Sequence, residues 1–201
     1  MSWIKQISYQ QATGALKRIY DKIKGPDGYI DNILTVHSLR PHTLTGHMSL
    51  YKNVLHHSNN SFSNWFLEAL GTYVSFLNEC QYCYLHHFEG MKRFLNDNDK
   101  ASQIKNAIEN NTLESLFTEK ELAAFNYSKK LTLDVINITK NDITILKDIG
   151  YDDGEILEIN QVVSYFNYAN RTVLGLGVNT EGDILGLSPK NKDDENSWSH
   201  S

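Results

Sequence analysis

Between Trp65 and Leu77 the apolar residues Trp65, Phe66, Ala69, Leu70, Tyr73, Val74, Phe76 and Leu77 fall around most of a helix instead of along one stripe. A helix of that kind is stable only when other elements surround it. The stretch 63–77 therefore predicts a multi-helix bundle with this segment at its centre. The rest of the chain supplies partners with one apolar face each. Residues 10–24 place Ala12, Leu16, Ile19, Tyr20 and Ile23 together, and residues 41–57, opened by Pro41, do the same with Leu44, Met48, Tyr51 and Leu55. Further helices are predicted over 30–37, from the cysteine pair to 95, on to 109, then over 118–133, 139–149 and 154–174. Thr118 with Glu121 forms a capping box, Asp152 or Asp153 caps the last long helix, and Gly150 and Gly175-Leu176-Gly177 provide stops. With only 3 prolines and few alternating runs, the expected class is all-α, with roughly eight or nine helices.

A length of 201 residues fits one domain with a substantial core. It is expected to span 1–187, followed by a polar, flexible tail over 188–201. The net charge of −5 comes without a dense Lys/Arg cluster, which argues against nucleic-acid binding. No apolar run reaches the length of a membrane span, and the start Met1-Ser2-Trp3-Ile4-Lys5-Gln6 lacks the apolar core of a signal peptide. A cytoplasmic location is expected. Both of the 2 cysteines lie in one Cys-x-x-Cys, unlike the disulfide framework of a small secreted domain.

The chemistry concentrates in Asn78-Glu79-Cys80-Gln81-Tyr82-Cys83-Tyr84-Leu85-His86-His87. Cysteines at i and i+3 share a helical face, with Cβ atoms roughly 5–6 Å apart, within reach of a disulfide after modest movement. His87 is the i+4 neighbour of Cys83, placed to take or return its proton. Asn78 with Gln81 reads as a capping box, which sets Cys80 in the first turn of a new helix, where the partial positive charge favours a thiolate. Glu68 lies twelve residues before Cys80. On one continuous helix the two would be about 18 Å apart and could not cooperate. If the chain reverses near Asn78, Glu68 and His87 come level, about 13–15 Å from the turn. That predicts a carboxylate–imidazole–thiol line of Glu68, His87 and Cys83.

Plainer readings stand beside this one. The cysteine pair could be a structural bridge, though so small a loop stabilises little. With His86 and His87 it could bind zinc, but no second distant pair completes four ligands. Glu68 could be a solvated helix charge, although its neighbours Phe66, Leu67, Ala69 and Leu70 suggest burial. His37, His42, His47, His56 and His57 read mostly as surface or interface groups. Asn167, Asn170 and Arg171 read first as a buried hydrogen-bond cluster, and second as a polar wall of the pocket or a subunit contact.

The pattern Glu68-x11-Cys80-Gln-Tyr-Cys83-x3-His87 resembles the AhpD-like alkylhydroperoxidase branch of the carboxymuconolactone decarboxylase family, in particular its peroxidase-related members. Asn32-Ile33-Leu34, His37-Ser38-Leu39-Arg40-Pro41, Tyr165-Phe166-Asn167, Asn170-Arg171 and Gly175-Leu176-Gly177-Val178 extend the likeness over about residues 1–185. The resemblance implies an all-helical fold that assembles into homo-oligomers (dimers, trimers or hexamers). It also implies a thiol peroxidase serving antioxidant defence. Cys83 would attack hydrogen peroxide or an organic hydroperoxide, Cys80 would resolve the sulfenic acid as a disulfide, and Glu68 and His87 would relay protons. No metal or organic cofactor is expected; the partner is a thiol reductant, either a dithiol protein or a small thiol. The alternative is a redox-sensing or disulfide-exchange protein without efficient peroxide turnover. Tyr82 stands where well-studied members carry a histidine, so the relay is expected to differ. The decarboxylating branch lacks the cysteine pair. The residues themselves leave open which thiol attacks: the helix start favours Cys80, and the nearness of His87 favours Cys83.

Overall fold

A computed structural model describes residues 2–189 and Asp193. Among these residues it contains nine α-helices: α1 Gly14–Ile23, α2 Asn32–Thr35, α3 Pro41–Leu55, α4 Asn64–Leu77, α5 Gln81–Leu95, α6 Asn98–Asn110, α7 Glu119–Leu133, α8 Lys140–Asp148 and α9 Asp153–Leu176. The all-α expectation holds. Local signals account for most boundaries. Pro41 occupies the first turn of α3, where its missing N–H costs nothing. Thr118, Thr139 and Asp152 each close a capping box at the start of α7, α8 and α9. Gly177 ends α9 in the left-handed conformation. The first helix is shorter than predicted. The Ser8 N–H bonds to the Gln11 side chain, residues 9–11 form a turn, and α1 begins only at Gly14.

Helix α4 is the axis of the bundle. Every residue from Phe66 to Ser75 is buried, and α5, α9, α7, α6 and α3 all pack on it. Two glycines permit close approaches at α4. A methyl group on Gly71 would sit 2.0 Å from Cζ of Phe166, so α9 drives this ring against the bare backbone of α4. Gly90 of α5 faces Glu68, and a Cβ there would lie 3.3 Å from the carboxyl carbon. Among the described residues no helix is long and apolar enough to cross a membrane. The expected polar tail over 188–201 falls almost wholly outside the described residues. Within it, Asp193 accepts a hydrogen bond from the Ser58 N–H at 3.1 Å.

Gly71→Ala is expected to destabilise the protein by about 2 kcal/mol or more, because overpacking outweighs the roughly 1 kcal/mol that alanine gains over glycine in a helix. Chemical denaturation measures this directly, and an unchanged midpoint would contradict the packing described.

Candidate active site

The chain reverses between α4 and α5 at Asn78-Glu79-Cys80. Glu79 takes up the left-handed conformation (φ 55°), and the Cys80 N–H bonds back to the Ser75 carbonyl at 2.9 Å. The two helices then run side by side, and Glu68 meets His87. The Nδ1–H of His87 donates to Oε2 of Glu68 at 2.6 Å. Glu68 is only 2% exposed, so its charge must find partners inside the protein. It has two imidazoles: His87, and His56, whose Nε2 lies 3.7 Å from Oε1. His56 is fully buried and stands edge-on to Tyr51. The ring of Phe166 meets His87 edge-to-face, with centroids 4.4 Å apart. Of the upstream histidines read mostly as surface or interface groups, His47 and His56 are corrected, since both are buried, whereas His42 is exposed and His37 and His57 are half-buried. His56 is hard to assign from the sequence because it falls outside the apolar stripe of the predicted helix 41–57, and in the structure it caps the end of α3.

The cysteine pair differs in detail from the expectation. Asn78 does not cap α5. It ends α4, and its side-chain amide donates to Asn167 (3.1 Å) and Asn170 (2.9 Å) of α9. Cys80 itself occupies the N-cap of α5. Both cysteines are free thiols and both are buried. The Cys80 thiol is held below its ordinary pKa, chiefly by the Cys83 thiol donating toward its sulfur. The amides of Cys83 and Tyr82 add a weaker pull without forming a capping hydrogen bond. Cys83 moves the other way. Burial pushes its pKa well up, the neighbouring Cys80 sulfur pushes further, and the Asn170 side chain offsets part of the rise. Of the pair, Cys80 is the more acidic thiol and Cys83 holds its proton more tightly. No hydrogen bond joins the Cys83 thiol to His87; the two face one cavity.

That cavity has a free volume of about 50 Å³, or about 520 Å³ when its open mouth and the gaps between lining atoms are counted. Glu68, Cys83, His87, Tyr51, Tyr165 and Leu187 are among its walls. Cys80 does not line it. Cys80 belongs to a separate shallow depression with Ser75, Phe76 and Tyr84. The two sulfurs thus adjoin each other but border different openings.

A second cluster lies at the cavity wall. The Tyr82 hydroxyl donates to Oδ2 of Asp183 at 2.6 Å and accepts from the Ile33 N–H at 3.1 Å. His86 stacks on Tyr82 and bonds to the same Asp183 oxygen at 3.2 Å. Asp31 is pushed up to about 6 by burial, with the Asp183 charge adding to the effect. Asp31, His86 and Asp183 bring one ligand atom each within 4.8 Å of one another, the group among the described residues with the donors to hold a cation. The two cysteines with His86 and His87 do not converge in this way. Asn167, Asn170 and Arg171 follow the first reading only in part: they are hydrogen-bonded within α9 and to α4, but Asn170 alone is buried, Asn167 is half-buried and Arg171 is exposed. Asn170 is fully buried and donates to the Ser75 hydroxyl, while Arg171 bonds to Asn167.

No protein-family model matches the sequence, and no curated protein matches it. Solved structures do. A peroxidase-related protein from Ralstonia eutropha JMP134, described as an alkylhydroperoxidase AhpD core, superposes with a TM-score of 0.72 at 16% identity, covering 92% of this chain and 96% of its own. The chain has the AhpD-like fold. A second peroxidase-related protein, from Silicibacter sp. TM1040, gives a TM-score of 0.67 at 20% identity over 77% of this chain and 80% of that one. The debrominase Bmp8, in complex with 2,3,4-tribromopyrrole, gives 0.64 at 15% identity over 87% and 91%. At such identities the likeness is one of fold, and the AhpD-like fold evidently hosts more than one chemistry.

The hydrogen bond from Cys83 is the largest cause of the lowered Cys80 pKa, so Cys83→Ala should raise that pKa toward the ordinary thiol value. The thiolate ultraviolet absorbance of Cys80 should then appear at higher pH than in the wild-type protein. An unchanged titration would show that the neighbouring thiol does not stabilise the charge.

Proposed function

We propose that the protein is a thiol peroxidase that reduces hydrogen peroxide or a small organic hydroperoxide through a dithiol/disulfide cycle of Cys83 and Cys80. The observation that carries this reading is the 2.6 Å bond from His87 Nδ1–H to the buried Glu68 carboxylate, on the wall of the cavity that Cys83 also lines. It leaves the other imidazole nitrogen of His87 available to a molecule in the cavity and supplies a fixed negative charge that stabilises the imidazolium.

The peroxide would lie between Cys83 and His87, which no hydrogen bond joins directly. The Cys83 thiol passes its proton through the bound peroxide to His87, and its sulfur attacks one peroxide oxygen as the O–O bond breaks. The leaving hydroxide or alkoxide takes the proton from His87 and departs as water or alcohol, and Cys83 becomes a sulfenic acid. Cys80, whose thiolate character exceeds that of Cys83, then attacks the Cys83 sulfur. An S–S bond forms, the S–O bond breaks and hydroxide leaves as water after taking up a proton. An external dithiol protein or small thiol returns both sulfurs to thiols. The lowered pKa of Cys80 suits the resolving role, and the place of Cys83 on the cavity suits the attacking one.

One observation favours a second reading, a redox sensor without efficient turnover: Cys83 is 1% exposed and its pKa is raised by burial, both of which slow thiolate attack. Because the fold is shared with a debrominase, 2,3,4-tribromopyrrole belongs in the same assay, where bromide release without peroxide consumption would assign the thiol pair a different substrate.

Cys83→Ser should abolish peroxide consumption, and Glu68→Gln should lower it by about 10²-fold or more, the usual worth of a positioned acid–base group. Mass spectrometry after one equivalent of peroxide and a sulfenic-acid trap should locate the adduct on Cys83. Full turnover in Cys83→Ser, or the adduct on Cys80 alone, would overturn the assignment.

A further inference from the structure

Beyond α9 the chain does not drift away from the bundle. It returns across the cavity. The Trp3 N–H bonds to the Leu176 carbonyl, and the Trp3 ring fills the space beside Gly177 that a side chain would need. From there residues 178–187 are fastened at successive points. The Asn32 side-chain amide donates to the carbonyls of Asn179 (2.9 Å) and Glu181 (3.0 Å). Asp183 accepts from the Asn32 N–H, the Tyr82 hydroxyl and His86. The Ile184 N–H donates to the Tyr29 hydroxyl at 2.8 Å. Arg93 of α5 donates to the Gly186 carbonyl. Gly186, at φ +75°, lies so close to α5 that a Cβ would come within 2.8 Å of the Glu89 backbone. The following residue, Leu187, forms part of the cavity wall.

We propose that this strap, anchored by Asp183 and walled by Leu187, sets the size of the substrate, so that the site takes hydrogen peroxide and the smallest alkyl hydroperoxides and shuts out bulky ones. The inference rests on the peroxidase reading and names its substrate class. A free volume of about 50 Å³ holds a few water molecules, at roughly 10–15 Å³ for each. A space of that size favours hydrogen peroxide over an aromatic hydroperoxide, whose ring would have to press on the Leu187 wall. The strap is tied to the elements that carry the chemistry. Tyr82, between the two cysteines, is itself one of the anchors, so the wall is held in register with Cys83 and does not hang as a free loop.

The test uses the full chain with Leu187→Ala, which removes wall, and Asp183→Asn, which weakens the anchor. The first readout is kcat/KM for cumene hydroperoxide relative to hydrogen peroxide. It should be low in the wild-type protein and rise by about tenfold or more in Leu187→Ala, the discrimination that a few methyl groups of pocket supply. The second readout does not depend on peroxidase activity. It is the rate at which N-methylmaleimide and the bulkier N-phenylmaleimide block Cys83 in the reduced protein, both as thioethers that Cys80 cannot displace, with peptide mass mapping to locate the label. The preference for the small reagent should fall in both variants. Wild-type turnover of cumene hydroperoxide as fast as hydrogen peroxide, or a labelling preference that neither variant changes, would overturn the strap. A labelling preference that shifts as expected in a protein that consumes no peroxide would uphold the strap and remove the peroxidase reading instead.

Discussion

The site depends on a carboxylate buried inside a helical bundle. Removing Glu68 from water costs several kcal/mol unless the charge is met by partners in good geometry, and the surrounding structure supplies them. The sharp reversal at Glu79 makes α5 an antiparallel neighbour of α4 and brings His87 level with Glu68. Gly90 leaves the clearance that lets the two helices approach at the carboxyl group. Gly71 lets Phe166 enter far enough to brace the His87 ring. A short charge-assisted hydrogen bond is strong only when both partners are held. Here a glycine on each helix allows the holding.

Much of the scaffold was legible because it follows from local rules. The all-round apolar character of residues 65–77 indicated a central helix, and α4 is buried along almost its whole length. The capping box at Thr118 and the cap at Asp152 or Asp153, of which Asp152 is the one used, marked helix starts correctly, because a cap is decided by residues within one turn. The pairing of Glu68 with His87 was also reachable, since helix rise alone makes them level once the chain turns. The failures have a common physical origin. Asn78 was assigned to a local cap, whereas its amide is committed to Asn167 and Asn170, some ninety residues away in sequence. His56 looked like a surface residue because nothing nearby in the chain says that Glu68 approaches it. The roles of Gly71 and Gly90 were equally silent. A glycine in a helical pattern shows what it permits only when the opposing residue is known.

The two cysteines divide their properties in a way the spacing alone could not assign. Both belong to the start of one helix, and the helix-terminus argument applies to both. What separates them is their immediate surroundings. Cys80, at the N-cap, receives the Cys83 thiol and the first amides of α5, while Cys83, one turn on, is enclosed by apolar neighbours and by the Cys80 sulfur. Each sulfur therefore helps to set the other's protonation, and the titration belongs to the pair. A proton that leaves Cys83 has no direct acceptor on His87. Under the peroxidase reading, the molecule occupying the cavity itself completes the path.

Tyr82 shows how one residue between the cysteines can shape a site without taking part in its chemistry. A histidine between the cysteines could take part in moving protons. The tyrosine instead donates to Asp183 at 2.6 Å and accepts from Ile33, and burial pushes its own pKa well up. It stays protonated across the ordinary pH range and acts as a fixed strut between the cysteine turn, the start of α2 and the segment beyond α9. The exchange trades a titratable group for a mechanical tie. The shape of the cavity is thereby coupled to the turn that carries both sulfurs.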